Sequence, residues 1–312
     1  MRLAILVTNY LAYRRALGHR LVSDGYILQA FCRHLGAVPM RGVSTERVRA
    51  FIRGTGTTVT TAVRRHRVLA GLYRYARLRH HLLVDPLPPA PLEGPSSFIP
   101  YIYSQEELKR LLDAGAAICT PRASIEDDVL RTLLLVLYGA ALRLGEALAL
   151  NGADVDLEQA VLTIRRTKFN KSRLVPMGHD LARALRAYRR RRDPDDRAAP
   201  TAPFFLLRDG GRVSRSVAER TFRRLRASAG VQRDGGPRHQ PRLHDLRHAG
   251  AVHRVIAWYR SGAEVQRLLP HLATYLGHVD LSGTQRYLTL TPQLLNEASL
   301  RFERYALEDN HD

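Results

Sequence analysis

The stretch "DPLPPAPLEGPSSFIP", residues 85–100, divides the chain: six of its sixteen residues are proline. Proline lacks the amide hydrogen that a helix or ladder needs, and it pushes the residue before it toward extended backbone. The segment is a linker with little helical or sheet potential. It predicts one domain over residues 1–84 and a second over 101–312. A chain of 312 residues is long enough for each to bury its own core.

Upstream of the linker the pattern is helical throughout and predicts four or five short helices and no strand. "TNYLAYRRALG" offers Thr8 or Asn9 as a cap and Gly18 as a stop, and "SDGYILQAFCRHLG" runs from a Ser/Asp cap to Gly36. "STERVRAFIRGTG" and "TTAVRRHRVLAGLYRYARLRHHLL" follow the same rules. The last places Val63, Val68, Leu69, Leu72, Tyr75 and Leu78 on one side, with Arg64, Arg65, Arg67, Arg74, Arg77 and Arg79 around the remainder. A bundle this small has little room to hide six arginines, so it should display them to phosphates.

Composition supports a basic, globular chain. With 45% hydrophobic and 25% charged residues it is not a disordered sequence. Its net charge is +20 and its pI about 10.8, which points to a polyanionic partner, nucleic acid being the commonest. Residues 1–95 hold 15 arginines, no lysine and 4 acidic residues, a net of +11. An arginine-rich composition with solvated charged faces would give the same totals, so charge alone does not decide. The longest apolar run, "TLLLVLYGAAL" at 132–142, is too short for a membrane span and reads as a buried helix. No signal peptide is supported at the N-terminus. Cys32 and Cys119 stand far apart with no Cys or His at ligand spacing, against a disulfide framework or a zinc site. A cytoplasmic location is the expectation.

Downstream, Ser104 and Glu107 in "SQEELKRLLDAG" form a capping-box pattern opening an amphipathic helix. Another helix is predicted from about Ile125 to Leu150, with the acidic trio Glu126, Asp127 and Asp128 as its exposed start. "AVLTIRRTKFNKSRLVPM" has β-branched residues on two arms and a polar turn around Phe169 to Ser172, a hairpin. The chain is thus expected to be mainly α with a small β-sheet.

Four stretches carry chemistry: "GAALRLGEALAL" (139–150), the hairpin "RTKFNKSRLVP" (166–176), "HDLRHAG" (244–250) and "LGHVDLSGTQRY" (276–287). In order and spacing they resemble the signature boxes of the tyrosine recombinase family, also called phage integrases. Arg143 falls on the family's first arginine with Glu146 three residues on. His244 and Arg247 fall on its His-x-x-Arg box. His278 falls on the histidine of the last box, and Tyr287, nine residues later, on the nucleophile. The basic bundle is similar to the family's SAM-like helical core-binding domain, and residues 101–312 to its α/β tyrosine-recombinase catalytic domain.

The resemblance implies strand cleavage and rejoining through a 3′-phosphotyrosyl link, on double-stranded DNA. Residue chemistry is consistent with it. A phenol with a pKa of about 10 is mostly protonated at neutral pH, a deficit of about 4 kcal/mol that nearby cations reduce. Arg143 and Arg247 supply guanidinium forks suited to a crowded phosphate. The leaving 5′ oxygen must be protonated, and arginine does not release its proton. Lysine does, and the chain has only Lys109, Lys168 and Lys171. Lys168 aligns with the family's hairpin lysine and is the expected general acid, whereas Lys171 and Arg173 are expected on the DNA backbone. His244 and His278 would hydrogen-bond the phosphate or assist proton transfer at the tyrosine.

Covalent storage of the bond energy makes metal and ATP unnecessary. No G-x-x-x-x-G-K-[ST] stretch occurs, and no cofactor is expected. Each residue alone has an ordinary explanation: Tyr287 in a core, Arg143 paired to Glu146 at i+3, the histidines as caps. A DNA-binding accessory protein without cleavage, or relaxation of supercoils by the same chemistry, are the other functions in view. The segment after Tyr287 resembles that of recombinases of bacterial transposons and insertion elements. A homo- or hetero-tetramer on paired sites, with other recombinases of the same element as partners, and no membrane partner, is implied. Chromosome dimer resolution shares the core. "TPQLLNEASLRFERYALEDN", residues 291–310, is expected to form a helix that docks on a neighbouring subunit or on its own domain.

Overall fold

The computed structural model describes residues 1–19, 21–82, 84–92, 99–165, 172–192, 199–236, 239–278, 282–285, 296–297 and 299–300. The chain divides into two compact units, one running from Met1 to Phe98 and the other beginning at Ile99.

Unit 1 consists of α1 (Leu3–Ala16), α2 (Val22–Leu35), α3 (Thr45–Arg53) and α4 (Val59–Leu78), with a 3₁₀ turn at Met40–Gly42. Its described residues include no strand, only an isolated bridge between Arg2 and Pro39. Ser44 and Thr58 cap α3 and α4 by accepting the amides of Arg47 and Thr61, which satisfies donors the helix leaves open. Gly36 ends α2 at a φ of 72°. Two expected starts differ. α1 begins five residues before Thr8, because Leu3, Leu6 and Val7 belong to the core. α2 begins at Val22 after Leu21 in left-handed backbone, with Ser23 and Asp24 inside the first turn. On α4 the buried stripe is Ala62, Val68, Leu69, Leu72, Tyr73 and Ala76, while Leu78 is exposed. Tyr73 therefore takes the place expected for Tyr75. Arg64, Arg67, Arg74, Arg77 and Arg79 are exposed as expected. Arg65 is not; it stacks on Phe51 at 4.9 Å and donates to the Phe51 carbonyl at 2.7 Å.

Unit 2 opens with α5 (Gln105–Asp113), whose Ser104–Glu107 capping box is formed as predicted. A short α6 (Gly115–Ile118) leads to α7 (Asp127–Gly139) and α8 (Leu144–Leu148). The single helix expected over 125–150 is in fact two. Ala141 adopts left-handed backbone at φ 48°, and Arg143 is extended at φ −69° and ψ 144°. The break lets Leu142 and Leu144, both buried, face the core while Arg143 between them points away. A helix would not place them so, since its neighbours lie 100° apart, whereas extended backbone alternates sides.

The sheet is β1 (Val155–Asp156), β2 (Val161–Ile164) and β3 (Arg173–Pro176), all antiparallel in the order β1-β2-β3. β2 and β3 are the predicted hairpin arms, in register Ile164 to Arg173 and Val161 to Pro176. Alternation buries Leu162, Ile164 and Val175 and leaves Leu174 exposed. β1 is two residues long and carries no alternating signal by which to read it. The remaining helices are α9 (His179–Arg192), α10 (Arg215–Ser228), α11 (Leu243–Arg260), α12 (Val265–Leu276) and α13 (Ser282–Gln285). The fold is mainly α with one small sheet. No helix among the described residues is long and apolar enough to cross a membrane. The acidic trio does open α7, with Glu126 exposed at the cap, but Asp127 and Asp128 are half-buried rather than exposed as expected.

α7 and α11 pack backbone to backbone at Gly250, where an added Cβ would lie 2.2 Å from the Tyr138 carbonyl oxygen. Gly250→Ala gains about 1 kcal/mol of helix propensity, but the clash must separate the two helices. A net loss of about 1 to 3 kcal/mol is expected in urea denaturation. Equal or greater stability of the variant would contradict this packing.

Candidate active site

Three segments of unit 2 converge on one carboxylate. Glu146 sits at the third position of α8, and its Oε2 accepts the backbone amide of Arg143 at 3.0 Å, which fixes the residue at the helix break. Its Oε1 accepts from Arg143 Nη1 at 2.8 Å. Arg173, from the start of β3, reaches it in fork geometry, Nη1 to Oε1 at 3.0 Å and Nη2 to Oε2 at 2.8 Å. Arg247 Nη1 from α11 is 4.0 Å from Oε2. Burial alone would raise the Glu146 pKa. The hydrogen bonds and charge of Arg173, then the amide and guanidinium of Arg143, outweigh it and bring the carboxyl down to about 2.

The C-terminal end of α12 supplies a second set of acceptors. Tyr275 O accepts from Arg173 Nε at 3.1 Å, Leu276 O from Arg247 Nη2 at 2.6 Å, and Gly277 O from Arg143 Nη2 at 2.9 Å. The last carbonyls of a helix lack intrahelical donors and carry its negative end, so three cations are matched to three open acceptors. Arg247, 2% exposed, also donates to Ala141 O at 2.7 Å, a carbonyl turned available by the left-handed backbone there. Gly277 caps α12 in left-handed backbone at φ 67°. A Cβ on it would lie 2.8 Å from Arg173 Nη1.

On α11, His244, Arg247 and His248 stand at i, i+3 and i+4 and so share a face. The rings of His244 and His248 meet edge to face at 4.9 Å. Burial, followed by the charge of Arg247, lowers the His244 pKa. Burial, then His244 and Arg247, brings His248 down to about 3. Both imidazoles are neutral at physiological pH. Asp245 points elsewhere, capping α11 through the Arg242 amide at 2.8 Å and pairing with its guanidinium. His278 follows α12; its Nε2 is 3.2 Å from Arg247 Nη2, and its Nδ1 is 2.7 Å from Thr284 Oγ1 on α13.

Of the six predicted site residues, Arg143 and Arg247 meet around Glu146, His278 lies against Arg247, and His244 is one helical turn from Arg247. Lys168 and Tyr287 lie outside the described residues, as do Lys171 and most of 291–310. Arg173 is a correction. It was expected on the DNA backbone, yet its side chain is 13% exposed and committed to Glu146 and Tyr275 O. The i+3 pairing of Arg143 with Glu146 is real, but Glu146 serves more than that one arginine. His248 and Thr284 were not singled out from sequence. His248 carried a signal, being i+4 from His244 on a helix, whereas Thr284 carried none. Among the described residues, no group of three or more His, Cys, Asp or Glu side chains is placed to hold a metal ion.

Residues 102–293 match the phage integrase family. The chain is 37% identical over 310 residues to y4rB, a provisionally named integrase/recombinase of Sinorhizobium fredii, covering 96% of each. It is 31% identical over 314 residues to tyrosine recombinase XerD of Mycobacterium tuberculosis, covering 95% of this chain and 96% of that one. Its fold matches the Tn1549 transposon integrase, solved in complex with a circular intermediate DNA, at a TM-score of 0.69 and 15% identity, over 98% of this chain and 99% of the other. The chain belongs to the phage integrase family, the tyrosine recombinases. Its activity class is accordingly site-specific DNA recombination.

The depressed pKa of Glu146 has a pH consequence. A carboxyl whose folded pKa lies below its unfolded value stabilises the fold above the unfolded value, 4.5, and the contribution is lost as pH falls toward about 2. Glu146→Gln should cost on the order of 3 kcal/mol near pH 7. The gap between variant and wild type, measured by denaturant titration, should close between pH 4.5 and 2. A gap that stays constant across that range would refute the ionic role.

Proposed function

We propose that this chain cleaves and rejoins double-stranded DNA through a 3′-phosphotyrosyl bond to Tyr287, with Arg143 and Arg247 binding the scissile phosphate. The observation that carries this assignment is the pairing of two motif arginines around Glu146 with His278 against one of them. Attack by the Tyr287 oxygen forms the O–P bond and breaks the P–O5′ bond. Lys168 donates the proton the leaving oxygen needs, and the phenolic proton passes to a histidine. His244, kept neutral by its burial, and His278 are the acceptors in reach of this site. The bond energy stays in the link until a second 5′ hydroxyl returns, so neither metal nor ATP takes part.

Residues 1–84 act as the core-binding domain, 85–100 as the linker and 101–312 as the catalytic domain. Support for the first comes from the four exposed arginines of α4 and Arg79 at its C-terminal end, since phosphate contacts dominate DNA affinity. Exchange between two duplexes breaks four strands, so four nucleophiles are needed. A homo- or hetero-tetramer on paired sites supplies them, with other recombinases of the same element as partners and the C-terminal segment linking subunits. The setting is transposition or integration of a mobile element in the bacterial cytoplasm. The similarity to y4rB and to the fold of a transposon integrase favours it, while the similarity to XerD supports chromosome dimer resolution as the second setting.

The test is a nicked duplex carrying the chain's own site, incubated with protein in EDTA and run on a denaturing gel. Wild type should give a covalent protein–DNA band and Tyr287→Phe none. Arg143→Ala should slow the band's appearance by about 10²- to 10³-fold. DNA binding with no band from wild type would leave an accessory DNA-binding protein instead.

A further inference from the structure

Thr284 lies six residues after His278 and is fully buried, at 0% exposure. A buried hydroxyl requires a hydrogen-bond partner, and among the described residues that partner is a ring nitrogen: Oγ1 is 2.7 Å from His278 Nδ1. That contact alone allows two arrangements. The hydroxyl donates to a bare Nδ1, or a protonated Nδ1 donates to the hydroxyl oxygen.

Arg247 decides between them. Its Nη2 lies 3.2 Å from His278 Nε2, and a guanidinium has donors only. Nε2 must therefore present its lone pair, which places the ring proton on Nδ1 and makes Thr284 the acceptor. Gly283 leaves room for this arrangement: a Cβ there would approach Nδ1 to 3.3 Å and Cγ to 3.5 Å, so the ring lies close along its backbone. The imidazole is held at Nδ1 by Thr284, at Nε2 by Arg247 and along its edge by Gly283.

Building on the catalytic assignment of His278 above, we propose that Thr284 is a positioning residue for recombination: its hydroxyl accepts from His278 Nδ1–H and holds the ring so that the bare Nε2 is the nitrogen that takes the phenolic proton. The choice of nitrogen matters because the two are not equivalent. The group bonded at one determines whether the other donates or accepts. Nε2 lies beside the guanidinium assigned to the phosphate, whereas Nδ1 lies on the Thr284 side. Loss of the hydroxyl would leave Nδ1–H without its acceptor and free the ring to rotate about its side-chain bond, which takes Nε2 away from Arg247 and removes the constraint on the tautomer.

The experiment uses the full chain labelled with ¹⁵N-histidine, His278 signals being identified by their loss in His278→Gln. It compares wild type, Thr284→Val, which has the same shape without the hydroxyl, and Thr284→Ser, which keeps it. Wild type should show a protonated Nδ1 and a bare Nε2, and Thr284→Val should lose that pattern. Single-turnover formation of the covalent band on the nicked duplex should fall about tenfold or more in Thr284→Val, with gel-shift affinity for the same duplex within about twofold of wild type. Thr284→Ser should restore both the nitrogen pattern and the rate.

A wild-type chain with the proton on Nε2 overturns the proposal, as does a Val variant that keeps the Nδ1–H pattern or the wild-type rate. If Thr284→Val fails to fold, the wild-type and Ser nitrogen signals still decide the tautomer. A Ser variant with the wild-type pattern and rate then supports the proposal, and one with neither overturns it. A wild type that forms no covalent band removes the catalytic assignment, and the nitrogen signals then report separately whether Thr284 fixes the ring.

Discussion

The ion cluster at Glu146 is the constraint from which the site follows. A single carboxylate on α8 meets guanidinium groups from the helix break, from β3 and, at longer range, from α11. Each arrives from a different part of unit 2. The α7–α8 break, the register of the hairpin and the packing of α11 on α7 must all be correct for the charges to meet. One negative charge against three positive ones leaves the cluster with an excess of positive potential. An attacked phosphodiester, whose charge grows toward the transition state, is the complement of that excess.

Burying Arg247 costs several kcal/mol in desolvation before any partner is counted. The return comes from acceptors that the backbone leaves open. The end of α12 offers Arg247 the Leu276 carbonyl, and the left-handed turn at Ala141 offers another. These dipoles satisfy the N–H groups without neutralising the charge, so the guanidinium stays cationic in a poorly hydrated place. Removing one partner from such an arrangement typically costs about 3 to 5 kcal/mol. The arrangement also fixes orientation in advance, which spares the protein reorganisation when a substrate phosphate arrives.

Sequence revealed the participants better than their placement. Arg143, His244, Arg247 and His278 were found from the order and spacing of their boxes, and Ser104, Ser44 and Gly36 from the chemistry of helix ends. The break at Ala141 was hidden because "GAALRLGEALAL" has strong helix formers throughout, and only the burial of both Leu142 and Leu144 forces extended backbone between them. Arg173 was misplaced because a basic residue beside a polar turn reads as exposed, while its ion pair with Glu146 spans 27 residues. β1 was too short for a period, and α1 began before its apparent caps because Leu3 and Leu6 complete the bundle core. At Ala141, Arg173 and the start of α1 a contact distant in sequence outweighed a sound local signal.

The most direct measurement is chemical mapping of the covalent link. Protein incubated with the nicked duplex in EDTA would be digested with nuclease and trypsin, and its peptides sequenced by tandem mass spectrometry. A nucleotide joined through its 3′ phosphate to the first residue of peptide Tyr287–Arg301 is the predicted result. An adduct on any other residue, or a cleaved strand with no adduct on protein, would contradict the account.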